Sequence, residues 1–238
     1  MKKIIIMLAA AASLFMFPSC KKVTGEGPVQ TELRSVGDFS GLSSGIGGTV
    51  NYTIAPEYKI ELVAQRNILD VLETSKVGGH LLVKVKPGVI VKNDEAIVIN
   101  ISAPTASYLH LSGSGTLRVS GDLIASNMDM GVSGSGSIFA DRISIANKME
   151  AAISGSGSIH VKEGVVAEEN VRISGSGNIR LAGVNAAKAV VNISGSGNAQ
   201  LNLSQSLNAT ISGSGSVFYH GSPQVSTHIS GSGKVMPM

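Results

Sequence analysis

Three features of the sequence point to an all-β fold, a parallel solenoid with coils of about 18–21 residues. First, the phrase SGSG occurs seven times, its leading serine at positions 112, 133, 154, 174, 194, 212 and 230. The intervals run 21, 21, 20, 20, 18 and 18, and a repeat of this length is the mark of stacked coils. Second, the residue before each copy is always apolar: Leu111, Val132, Ile153, Ile173, Ile193, Ile211 and Ile229. Third, alternation with period two runs on both sides of the phrase, as a half-buried strand requires. Leu117, Ile138, Ile159, Ile179, Ala199, Val217 and Val235 hold the next fixed apolar place beyond it.

The 238-residue chain opens with MKK, an apolar run IIIMLAAAASLFMF and the small residues PS before Cys20. Residues 1–19 are expected to be a signal peptide, being too short for a normal membrane span. Cys20 is the only cysteine, so no intramolecular disulfide can form. Phe17-Pro18-Ser19-Cys20 resembles a bacterial lipobox, with Phe17 where a tighter match carries Leu. That resemblance implies lipid attachment at Cys20 and membrane tethering through acyl chains. Residues 20–30 (CKKVTGEGPVQ) then read as a lipidated tether with a polar spacer.

Removing residues 1–19 takes away Lys2 and Lys3, leaving 17 Lys+Arg against 16 Asp+Glu, a net charge of +1. With nine Phe and Tyr in the whole chain, no Trp and no basic cluster, the composition speaks against nucleic acid as a partner.

Residues 31–238 are expected to form a single β-solenoid domain, an irregular half over 31–108 and a seven-repeat half over 109–238. In the first half, TVNYTI, YKIELVAQ, HLLVKVK and AIVINIS alternate as strands. RNILDVLETSKVGG has helical spacing at Ile68, Leu69 and Leu72, and reads as a short helix or irregular crossing. In the second half each coil is strand, SGSG, strand and a variable piece. That piece shortens from seven residues (GDLIASN, RISIANK) to four (LSQS, GSPQ), so the solenoid should taper, its last coils lacking a third strand.

The repeated phrase has three readings. A flexible linker would not keep fixed apolar neighbours, and a phosphate loop would open a helix rather than a strand. The third is a corner between sheets, where glycine allows φ > 0 or close backbone approach. On it, Ser112, Gly113 and Gly115 make the first corner, then Gly134 and Gly136, Gly155 and Gly157, Gly175 and Gly177. Gly195 and Gly197, Gly213 and Gly215, and Gly231 and Gly233 make the rest. Bulky residues at any one would strike the corners above and below, about 4.8 Å away. A continuous strand with a thin glycine waist is the alternative.

Candidates for chemistry are sparse. His110 and His228 share an outward position, but five coils separate them, and the histidines read as surface residues. Asp122, Asp129 and Asp141 occupy different places in their coils, which gives no carboxylate stripe of the kind glycan cleavage needs. Glu168-Glu169 reads as a solvated turn. The serines are undistinguished copies with no recurring base beside them. No catalytic residue, metal or cofactor is expected, and so no enzyme.

DFSGLSSGIGGTVNYTI, GGHLLVKVK and TASYLHLSGSG, followed by the SGSG series, resemble the head GIN-domain family of auto-transporter adhesins found in Bacteroidetes lipoproteins. Gly45-Ile46-Gly47 stands at the GIN-like place, with Gly for Asn. The resemblance spans about residues 30–238. It implies a right-handed parallel β-superhelix with GSG at tight turns, related in shape to pectin-lyase-like solenoids without their catalytic residues, and an adhesive role.

The expected function is therefore that of an outer-membrane lipoprotein, periplasmic or surface-facing, binding an unknown macromolecule, a host or envelope protein or glycan, through a broad sheet face. Arg118, Phe139, His160 and Arg180 would form the ligand face of a glycan-binding or glycan-active alternative. A self-associating structural protein, a homo-oligomer, is the other alternative.

Overall fold

The computed structural model describes residues 20–92 and 96–238; the expected signal peptide, residues 1–19, lies outside them. From Thr116 onward each coil is one long strand that bends where it changes sheet: β11 (Thr116–Gly134), β12 (Ser137–Gly155), β13 (Ser158–Gly175), β14 (Asn178–Gly195) and β15 (Asn198–Gly213). They lie parallel and in register, so that Ile138 pairs with Ile159 and Ile153 with Ile173. β10 (Tyr108–Gly113) enters below, and β16 (Ser216–Gly221), β17 (Gln224–Gly231) and β18 (Lys234–Pro237) follow above. The apolar files expected from the alternation point inward up to the last coil, where Ile229 is exposed, and Leu117, Ile138, Ile159, Ile179, Ala199 and Val217 are wholly buried.

The SGSG phrases are the corners. The strand stops after the first glycine, and the next begins after two intervening residues. The two glycines serve different needs. The first has φ between 111° and 126° in all seven copies, a conformation that side-chain-bearing residues rarely adopt. The second has ordinary φ but no room: a Cβ on Gly157 would lie 2.5 Å from both the Gly136 carbonyl oxygen and Val132 Cγ1. The turn also settles its polar groups against the coil below. Ser135 and Gly136 both donate their N–H to Gly113 O (3.0 and 2.9 Å), and Ser156 and Gly157 do the same to Gly134 O (2.9 and 3.0 Å). One carbonyl, with two lone pairs, thus satisfies two donors.

The irregular half continues the same stack. β3 (Gly41–Gly45) lies beneath β10, and β4 (Thr49–Ile54) beneath β11. The Gly45–Gly48 stretch between them sits under the first SGSG, where Thr116 N donates to Gly48 O. It is an eighth corner, with the same crowding: a Cβ on Gly115 would lie 2.5 Å from Ile46 O.

Below this, antiparallel strands close the stack. β2 (Val29–Arg34) pairs with β5 (Lys59–Gln65), β5 with β9 (Val98–Ala103), and β6 (Leu72–Val77) turns through Gly78-Gly79 into β7 (His80–Val85). The crossing RNILDVLE resolves into a four-residue helix α1 (Arg66–Leu69) followed by β6, with Ile68, Leu69 and Leu72 all buried. Arg34 donates to the carbonyls of Leu69 and Leu72 (2.9 and 2.7 Å), which closes the helix end.

Three expectations need correcting here. The stretch 21–30 is not a free spacer: Lys21–Thr24 forms β1, parallel to β8 (Val89–Lys92), with Val23 buried, and β2 starts at Val29. Hydrophobic burial of Val23 holds it down. The third sheet also persists later than the variable-piece lengths suggest, since Asn202 and Leu203 of β15 still pair with Asn185 and Ala186. The shortening is absorbed at the bend between Arg180 and Asn185, which spans five positions in β14 but only Gln200 to Asn202 in β15.

Glu169 is the third correction. It is fully buried, not a solvated turn, and occupies an inward file between Met149 and Ala189. Neither carboxylate oxygen has a partner, and burial pushes its pKa well above the usual carboxyl range. The folded state therefore holds this proton more tightly than the unfolded chain does. Its penalty is absent below the ordinary carboxyl pKa and grows as pH rises toward the folded value. Glu169→Met, matching Met128 and Met149 in the same file, should stabilise the fold by about 1–3 kcal/mol near neutral pH. Urea melts at about pH 4 and pH 8 check this. The gain over the parent chain should be larger at the higher pH; an equal gain at both would contradict the assignment.

Candidate functional site

The sheet that follows each corner presents a flat outward face. Because coils stack in register, Arg118, Phe139, His160 and Arg180 occupy the same position in β11, β12, β13 and β14. The guanidinium carbon of Arg118 lies 5.3 Å from the Phe139 ring centre, within cation–π range, and His160 meets Phe139 edge-on at 6.1 Å. Arg180 follows His160 in the file.

Gln200 and Phe218 continue the file upward, and Asn51 and Asn100 downward. Amides and hydroxyls flank it as a ladder, with Ser158 donating to Ser137 (2.9 Å) and Asn198 to Asn178 (3.2 Å). Phe139, His160 and Phe218 are half-buried, and Arg118 and Arg180 exposed.

A second cluster lies on the sheet that precedes each corner, and sequence reasoning missed it. His80, Gly41, Tyr108 and Asp129 belong to one file across β7, β3, β10 and β11, with Glu150 of β12 next. The His80 ring reaches across Gly41 and stacks on Tyr108 at 4.4 Å, and Tyr108 stacks on His110 at 3.9 Å with the rings almost parallel. Glycine makes this possible twice. A Cβ on Gly41 would come within 2.9 Å of His80 Nδ1, and one on Gly131 within 2.6 Å of His110 Nδ1. Those two outward-facing glycines, outside any SGSG, were the available signal.

His110 Nε2 is 2.9 Å from Asp129 Oδ1, so this partly exposed histidine has a carboxylate partner. His80 Nδ1 is buried without a partner. Partial burial, and next the Asp129 charge, raise the Tyr108 pKa. Asp129 and Glu150 share one position on adjacent coils, a carboxylate pair that the aspartate positions alone did not reveal. Lys148 holds Glu150 at 2.6 Å, and Arg172 lies 3.6 Å from it. His80, Tyr108, Asp129, Lys148 and Glu150 line a groove of about 700 Å³. Across the ring stack a smaller trough of about 310 Å³, lined by Tyr108 and His110, runs over Gly131 and Ala152 toward the corner serines Ser112, Ser133 and Ser154.

Among the described residues no helix is long and apolar enough to cross a membrane. The family described as "Putative auto-transporter adhesin, head GIN domain" matches residues 38–223. A search of curated proteins finds no match. Among solved structures, a putative adhesin from Bacteroides fragilis has a TM-score of 0.85 at 22% identity, covering 91% of this chain and all of its own. A putative adhesin from Parabacteroides distasonis has a TM-score of 0.73 at 21% identity, over 92% of this chain and 100% of that one. A protein from the same organism described as a putative lipid binding protein scores 0.72 at 23% identity, with the same coverage. At these identities the likeness is one of fold.

Proposed function

Because this chain belongs to the head GIN-domain family of auto-transporter adhesins, we propose that it is a non-enzymatic cell-envelope adhesin or scaffold. In this reading the chain is exported, lipidated at Cys20 and held at the outer membrane. It grips another macromolecule, a protein or glycan, through the sheet face that follows the corners. The observation that carries the reading is the unbroken file Arg118–Phe139–His160–Arg180–Gln200–Phe218. Cationic, aromatic and amide groups recur there about every 4.8 Å on a flat sheet, which suits an extended partner better than a small substrate. Asp129 and Glu150, the two carboxylates that stand on adjacent coils, are partly exposed and already held by His110 and Lys148.

Intact cells producing the chain test the location. External protease should digest it, and Cys20→Ala should move it from the membrane pellet to the soluble fraction. Digestion only after the outer membrane is opened would end the adhesin reading. The face is tested by combining Arg118→Ala, Phe139→Ala and Arg180→Ala. Adherence of cells should fall while the purified chain still melts in one cooperative transition; full adherence would move the site elsewhere.

A further inference from the structure

We infer that the groove beside the His80–Tyr108–His110 stack is a binding site for a neutral carbohydrate. This rests on the reading of the protein as a binder rather than a catalyst, and it adds a ligand class and a second location. His80 and Tyr108 line the groove, and the edges of their stacked rings give it an apolar wall against which the C–H face of a pyranose can pack. The rings keep this arrangement because Gly41 and Gly131 leave the space beneath them empty. A stack serving only as core would be buried, yet His110 and Asp129 keep 33% and 44% of their side-chain surface exposed.

The rim supplies the polar half of the chemistry. Asp129 and Glu150 stand on adjacent coils, and each carboxylate can accept a pair of hydroxyl protons from neighbouring sugar carbons. Asp129 is already oriented by His110, and Glu150 by Lys148, so neither carboxylate must be ordered when a ligand arrives. The two carboxylates are offset by the nearby cations of Lys148 and Arg172, which favours an uncharged ligand over an anionic or cationic one.

Other occupants fit less well. Lipid chains require an apolar enclosure, and this groove is open and rimmed by ion pairs. A peptide joining by strand addition needs an unpaired sheet edge, whereas β10 is hydrogen-bonded to β3 on one side and β11 on the other. Phosphates of nucleic acid would meet the carboxylate pair. The groove's volume, about 700 Å³, lies within the range of small-ligand sites.

The test is calorimetric titration of the chain with cellotetraose, mannotetraose, galactotetraose and chitotetraose. Tyrosine emission serves as a second signal, since the chain has four Tyr and no Trp. At least one of these sugars should bind with Kd of about 1 mM or tighter. Tyr108→Ala should weaken that binding roughly tenfold or more, and Tyr108→Phe should keep it within about threefold. Asp129→Asn should also weaken it, which guards against a Tyr108→Ala chain that fails to fold. No binding by any of the four up to about 10 mM would overturn the site. So would binding that survives Tyr108→Ala but is lost in Phe139→Ala, which would place the sugar on the other face and leave the adhesin reading standing. Conversely, a protease-protected, periplasmic protein that still binds sugar through Tyr108 would keep this site and remove the adhesive role.

Discussion

Replacing Ile173 with aspartate should melt several coils together. Ile173 is 2% exposed and sits in an inward file between Ile153 and Ile193. No cation faces it from that file, whose members from Leu111 to Ile211 are all aliphatic. The new carboxyl would have to ionise unpaired or take up a proton and remain without a partner, a cost of about 4 kcal/mol or more. Because each coil is held mainly by its two neighbours, the loss propagates along the stack. Thermal melting followed by circular dichroism should show a collapsed or greatly lowered transition. Asn192→Asp, on the exposed side of the adjacent coil, should change stability by no more than about 0.5 kcal/mol. A parent-like melt for the Ile173 variant would mean that the file is not a core.

Gly155→Val should be about as damaging, for a different reason. The backbone at Gly155 has φ of 123°, and any Cβ there would collide with the carbonyl oxygen of Gly134 in the coil below. Forcing a β-branched residue into that conformation costs about 1–3 kcal/mol, and the overpacking adds a similar amount. The collision also displaces the acceptor that Ser156 N and Gly157 N both use, so two hydrogen bonds weaken with it. Ser156→Ala at the same corner removes only an exposed hydroxyl and should be nearly neutral. Guanidinium denaturation of the two variants separates the cases. Equal midpoints would show that the glycine is dispensable and that the corner is not set by stacking.

The corners account for why so much was readable from the chain. An invariant glycine pair with apolar residues before and after it fixes where each strand starts, which side faces inward and which residues pile into a file. Ile153, Ile173 and Ile193 therefore fall in line as the intervals require, and Arg118, Phe139, His160 and Arg180 share one outward position for the same reason. The glycine-waist alternative fails because the backbone turns at the first glycine, where φ is positive, and the strand breaks.

Glu169 shows where that legibility ends. From Ile145 to Lys148 β12 takes three steps, while β13 takes two from Val166 to Glu168, and this lost residue is the drop from 21 to 20 in the repeat. It is dropped at a bend, which shifts the phase of the alternation and sets Glu169 against Met149 rather than against water. Alternation counted along the chain cannot see which side of a bend loses a residue.

Period and side were thus local matters: small residues at regular intervals, with strand alternation between them, dictate a ladder of coils whatever lies elsewhere. Contacts between distant segments were not. His80, Gly41, Tyr108 and Asp129 share a file only because the irregular first half folds down as additional coils beneath the repeats. The ring stack, its carboxylate neighbours and the groove they bound depend on that docking, which is decided by the burial of Leu42, Leu81 and Leu109 in one common core.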